Sequence, residues 1–362
     1  MSTPRLRPAL EQLGTYVPGR RPAPGQDFSR LASNETPFPL LPEVVEAIAA
    51  ALADSNRYPD PSVSRLTEVL AAKHQVPTDR VAVGCGSVQL VQELVEITCD
   101  AGDEVIFGWR SFEAYPTLTT VAGAVAVTVP LSNAHLDLTA MAAAVTDRTR
   151  LVLLCSPNNP TGPALAESEV KAFLEAVPPR VLVVLDEAYA EFVDDPAAVD
   201  GTRLLASYPN LLVLRTFSKA YGLAGLRVGY ALAGDPRVAA ALRQVHLPFA
   251  VSIAAQAAAL ASLEVEPVLL ERVSQIVAMR EPLRKELLAI GWDVPPSQGN
   301  FVWLPAGEDS VRVSQVFEDH SVLVRCFAGD GLRITIGTPA DNARVLAGAR
   351  AALADAGVQG VR

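Results

Sequence analysis

The chain has 362 residues, 50% hydrophobic and 19% charged, enough apolar material for a large core and, by length, for about two domains. Its formal net charge of −10 and pI near 5.0 argue against nonspecific binding to nucleic acid or an anionic membrane, while small anionic ligands stay accessible to local arginines. "MSTPRLRPAL" lacks the apolar core of a signal peptide and no apolar run reaches the length of a membrane span, which points to a soluble, cytoplasmic protein.

Cys85, Cys99, Cys155 and Cys326 are scattered without a paired spacing and read as reduced thiols. His74, His135, His246 and His320 lie far apart, outside any cluster at metal-ligand spacing, so no metal is expected.

Residues 1–42 are rich in Pro, Gly and Arg and predict an extended arm that contributes to a small domain or a dimer contact. From "PEVVEAIAAAL" onward, short aliphatic runs alternate with helical stretches: "VAVG", "EVIFG", "AVAVTVPL", "RLVLLCS", "RVLVVLDEAY", "NLLVLRTFS" and "VGYALAG". Strands apolar on both faces and separated by helices predict an α/β domain over 43–250, its sheet mostly parallel and covered on both sides. Beyond about residue 250 come long helical segments with a change of direction near Pro267. The short strands "NFVWLPA", "VLVRCF" and "LRITIG" and a last helix follow, a smaller α+β domain over 251–362.

A parallel sheet presents its ligand at the carboxyl ends of its strands. One of the chain's four lysines, Lys219 in "RTFSKAYGLAGLRVGY", sits there among small, hydroxylic and aliphatic residues. An ammonium in such a place is costly unless its charge is used or its pKa falls, which makes Lys219 a candidate covalent nucleophile. "VAVGCGSVQL" runs from strand through a glycine turn to a helix and aims the amides of Ser87 and Val88 at an anion, although an ordinary tight turn explains it as well. "LLCSPNNPTG" ends another strand with Asn159, again compatible with a plain turn. In "VLVVLDEAY" a carboxylate follows an apolar strand and needs a partner: a helix cap, an arginine, or a protonated heterocyclic nitrogen facing Asp186, with Tyr189 supplying a phenol.

Taken together, an anion cradle, an amide, a carboxylate, a phenol, a lysine flanked by Thr216 and Ser218, and Arg227 match the needs of pyridoxal 5′-phosphate. Its aldehyde takes an amine, its phosphate takes donors and a cation, its ring oxygen takes hydrogen bonds and its ring nitrogen takes an acid.

The order of "LASNETPFP", "NRYPDP", "GCGSVQL", "GWRSFEAYP", "SPNNPTG", "DEAY", "TFSKAYGLAGLRVGY", "QGNFVWLP" and "GLRITIGTP" resembles the histidinol-phosphate aminotransferase family of fold-type I pyridoxal-phosphate enzymes. Within it the likeness is greatest to the actinobacterial aromatic amino acid aminotransferase branch. The resemblance implies that Lys219 carries the cofactor and then moves the proton, that Asp186 holds the ring nitrogen protonated, and that Asn159 and Tyr189 bond the ring oxygen. It implies that Phe112 stacks on the ring and that Ser87, Val88, Thr216, Ser218 and Arg227 hold the phosphate. Tyr58 would reach the phosphate of a neighbouring subunit, making the active unit a homodimer. Arg333 would fork onto the substrate carboxylate, with Arg325, Tyr16 and Asn34 also on the substrate side.

Two departures stand out. Val88 occupies a cradle position where the family often has an acidic residue, and "VRCFAGDG" shortens the segment between Arg325 and Arg333, which bears on the substrate rather than the chemistry. The expected activity is amino-group transfer from an aromatic L-amino acid to a 2-oxo acid. Its rivals are histidinol-phosphate aminotransferase and a pyridoxal-dependent decarboxylase. Trp109 is expected as wall or packing and His246 as structural.

Overall fold

The computed structural model describes residues 4, 6–14 and 25–354. All seven aliphatic runs become strands of one sheet, in the order Val81–Gly84, Gly229–Ala233, Leu211–Thr216, Leu182–Asp186, Thr149–Cys155, Glu104–Trp109 and Val125–Pro130. Gly229–Ala233 alone runs antiparallel to both neighbours. The others are parallel, so their carboxyl ends lie on one side. The antiparallel strand brings its amino end to that same side, with Gly229 opposite both Gly84 and Thr216.

Alternate residues of the central strands enter different cores. Val183 and Leu185 pack on one face of the sheet and Leu182, Val184, Leu212 and Leu214 on the other. Burying each such side chain stabilises the fold by about 1.5–3 kcal/mol, which is why the runs carry no polar alternation.

Helices Ile253–Glu264 and Glu266–Ile290 meet at 81° around Val265, with Pro267 in the first turn of the second. Proline there lacks only an N–H that the helix start would leave unused. The strands Phe301–Pro305, Gly331–Thr335 and Arg325–Phe327 form a small antiparallel sheet. Ser29–Arg30, from the N-terminal arm, pairs in parallel with Val322–Leu323. From there residues 31–36 run toward the carboxyl ends of the large sheet.

Candidate active site

Those carboxyl ends wall a cavity of about 190 Å³. Ser87, Val88, Phe112, Asn159, Asp186, Tyr189, Thr216, Ser218, Lys219, Arg227, Arg325 and Arg333 all line it. They come from segments far apart in sequence: the ends of the large sheet's strands and, for Arg325 and Arg333, the small sheet.

Asp186 and Glu187, adjacent in sequence, take opposite roles. Glu187 turns away from the cavity: its carboxylate accepts from Arg215 Nε at 2.8 Å and from the Gly201 N–H at 2.8 Å. This is the ion-pair alternative, realised at one of the two acids. Asp186 stands in the cavity wall, where Oδ2 accepts the Tyr115 hydroxyl at 2.7 Å and Oδ1 is buried without a hydrogen-bond partner among the described residues. Burial pushes the Asp186 pKa up, opposed by the Tyr115 hydroxyl and the Ala188 backbone. An orphaned carboxylate oxygen in such a place fits a protonated nitrogen supplied by a ligand.

Lys219 Nζ donates to the Ser33 carbonyl of the arm at 3.0 Å and lies 6.0 Å from the Tyr189 ring centroid. Burial, reinforced by Arg333 and Arg227 and opposed by Glu35, lowers its pKa to about 7. A lysine so poised is partly neutral at physiological pH, the form a nucleophile requires.

Two donors are set by what holds them. Asn34 Nδ2 donates to the Tyr189 hydroxyl oxygen at 2.9 Å, leaving the phenol's own proton free to be donated elsewhere. Asn159 Oδ1 accepts from Arg333 Nη1 at 2.6 Å, which leaves its NH₂ as the donor. Burial raises the Tyr189 pKa to about 12, so the phenol keeps its proton.

The anion cradle forms where helix Gly86–Thr98 begins. Thr216 Oγ1 and Ser218 Oγ are 3.0 Å apart, and Arg227 Nη1 lies 3.5 Å from Ser218 Oγ. Gly86 has φ +78°, and a Cβ there would lie 2.5 Å from Arg227 Nη2, so only glycine lets the guanidinium close over the helix start. The helix amides, two hydroxyls and a cation suit a phosphate. Together with the orphaned Asp186 oxygen and the amine, these residues fit pyridoxal phosphate.

Arg333 is 8% exposed, and its Nη2 donates to the Ala32 carbonyl at 2.6 Å. Arg325 Nη2 donates to Glu113 Oε2 at 2.7 Å. Phe112 meets Tyr115 edge-on, with centroids 5.4 Å apart and planes at 87°.

Not every expected residue reaches the cavity. Asn34 lies behind Tyr189, its backbone N–H donating to Thr335 Oγ1 at 2.9 Å, so it holds a phenol of the cavity wall without itself lining the cavity. Tyr58 is 81% exposed and stacks on Phe249 at 4.4 Å, away from the cavity. Tyr16 lies outside the described residues. His246 Nδ1 pairs with Glu93 Oε2 at 2.6 Å and is structural, and Trp109 packs against Phe107 with Arg110 over its ring.

Tyr115 and Glu113 are the site residues that sequence reasoning passed over. Both stand in "GWRSFEAYP", and the available signal was a phenol and a carboxylate flanking the cavity-lining Phe112.

Known proteins resemble this chain along nearly its whole length. An aromatic amino acid aminotransferase from Thermobifida fusca (strain YX) is 54% identical over 348 residues, covering 96% of this chain and 97% of that protein. One from Rhodococcus opacus (strain B4) is 55% identical, covering 95% of each. The crystal structure of histidinol-phosphate aminotransferase from Sinorhizobium meliloti in complex with pyridoxal-5′-phosphate superposes with a TM-score of 0.88 at 29% identity, covering 98% of this chain and 99% of that one. The family model "Aminotransferase class I and II" matches residues 26–349, and the chain belongs to that family.

Proposed function

We propose that the chain binds pyridoxal phosphate in this cavity and transfers the amino group of an aromatic L-amino acid to a 2-oxo acid. The observation that supports the chemistry is the convergence on one cavity of a lysine with a lowered pKa, the orphaned oxygen of Asp186 and the guanidinium of Arg333. Support for the aromatic donor comes from the relatives of that name at 54% and 55% identity.

When bound, pyridoxal phosphate supplies an aldehyde that exchanges attachment between amines and a ring that withdraws electrons from the substrate's α-carbon. The residues do the rest. Lys219 would hold the group through its neutral Nζ and, once displaced by the substrate's amine, would take the proton from the α-carbon and carry it away from that carbon. Asp186 keeps a positive charge fixed opposite Oδ1, while Tyr115 holds the carboxylate in place. Arg333 receives the substrate carboxylate as a fork, and its bond to Asn159 couples that anchor to the residue facing the ring oxygen. Ser87, Val88, Thr216, Ser218 and Arg227 bind the phosphate, and Phe112 covers the ring.

We take residues 43–250 as the cofactor-binding domain and 251–362, with arm 1–42, as the smaller domain that covers the substrate. Tyr58 then serves the partner's site in a homodimer, and the protein works in the cytoplasm.

Phenylalanine added to the cofactor-loaded protein without a 2-oxo acid tests the reaction type. Transfer releases one equivalent of phenylpyruvate per site and stops. Continuous release of carbon dioxide would mean a decarboxylase.

A further inference from the structure

Arg325 and Arg333 are register partners on the antiparallel strands Arg325–Phe327 and Gly331–Thr335, and both line the cavity. Their guanidinium carbons lie 5.6 and 5.9 Å from the centroid of the Phe327 ring. Like charges directly opposite one another across a strand pair repel, and an anion between them relieves the repulsion. Two adjacent guanidiniums are also the receptor a phosphate monoester prefers, because its dianion can engage both forks.

The chain supplies an anion of its own. Glu113, just before helix Ala114–Ala122, reaches across from the large sheet and places Oε2 2.7 Å from Arg325 Nη2. The arginine and glutamate side chains are 14% and 23% exposed, so solvent screens this charge only weakly. Glu113 itself forms part of the cavity wall. Beside the same Phe327 ring, Arg110 stands 5.3 Å from the centroid and donates through Nε to Asp330 Oδ2 at 2.5 Å, a second guanidinium matched by a carboxylate.

We propose that Glu113 is a specificity-determining residue: its carboxylate engages Arg325 and repels a phosphate dianion from the place where Arg333 takes a single carboxylate. The proposal rests on the reading that Arg333 receives the anionic end of the amino donor. On this view the nearby arginines select a monoanion because a built-in acid has already answered one of them.

The test uses two dead-end ligands that differ only at the anionic end, 3-phenylpropionate and 2-phenylethylphosphonate, titrated into cofactor-loaded protein at a pH where the phosphonate is a dianion. The quantity read is the ratio of the phosphonate to the carboxylate dissociation constant. Glu113→Gln lowers the ratio at least tenfold, equivalent to about 1.4 kcal/mol. A smaller change, or an equal fall in Glu113→Asp, which keeps the charge, overturns the proposal. Arg325→Gln supplies an independent reading should the first variant fold poorly: it leaves the Glu113 charge in the wall without this arginine and raises the ratio, whereas a fall overturns the proposal. Repeating the carboxylate titration with 3-(imidazol-4-yl)propionate separates this proposal from the aromatic reading. Tighter binding of the imidazole ligand counts against the aromatic donor and leaves the ratio test of Glu113 standing.

Discussion

The hydroxyl of Tyr115 donates to Oδ2 of Asp186 at 2.7 Å, while Oδ1 of the same carboxylate lies buried in the cavity wall without a hydrogen-bond partner among the described residues. A buried carboxylate kept half satisfied is costly unless a ligand completes it. Asp186→Ala is therefore expected to lower kcat by 10²–10³, about 3–4 kcal/mol of lost electrostatic stabilisation, with pyridoxal phosphate still retained by the phosphate cradle. Near-normal turnover would reduce Asp186 to a packing residue.

Tyr115→Phe removes a hydrogen bond that favours the charged carboxylate, so the Asp186 pKa rises further. The expected result is a loss on the order of 10- to 10²-fold in kcat/KM, since a hydrogen bond to a charged group contributes about 1.5–3 kcal/mol. The acid limb of the pH–rate profile should move to higher pH. An unmoved limb would mean that Tyr115 only fills space.

Burial lowers the Lys219 pKa to about 7, so its amine loses its proton as pH rises through that value. In cofactor-free protein, the rate at which borohydride fixes pyridoxal phosphate to Lys219 should climb through pH 7 and then level. Between about pH 7 and the ordinary lysine range, the unfolded chain binds a proton that the native chain does not. Thermal stability of the cofactor-free protein should therefore increase with pH across that window. A rate still rising toward pH 10 would mean an ordinary, solvated lysine.

Much of the fold was legible because the strands are buried on both faces, and a run such as Leu182–Asp186 admits little else. The antiparallel course of Gly229–Ala233 was not, since an apolar run carries no direction. Ser29–Arg30 is two polar-flavoured residues whose pairing with Val322–Leu323 depends on the rest of the small domain. Within the site, residues that follow strand ends announced themselves by polarity after an apolar run. Tyr115, the second residue of a helix, did not: a phenol among Ala, Pro and Thr reads as packing until Asp186 is found behind it. Asn34 is similar, because its bond to Tyr189 spans 155 positions.

If Tyr58 completes a partner's site, inactive Lys219→Ala and weakened Tyr58→Phe homodimers should regain activity when their subunits are exchanged. Both lesions can fall on one site of the heterodimer and leave its twin intact. Absence of recovery after verified exchange, or full activity in a monomeric form, would contradict the arrangement.

The most direct test of the account is kcat/KM for phenylalanine, tyrosine and histidinol phosphate on one enzyme preparation with the same 2-oxo acid. If Arg333 is the carboxylate fork, as proposed, with Glu113 set against Arg325, phenylalanine or tyrosine should win, and Arg333→Ala should lower their kcat/KM by about 2–5 kcal/mol as the anchor is lost. A preference for histidinol phosphate exceeding about tenfold, equivalent to about 1.4 kcal/mol, would contradict the account.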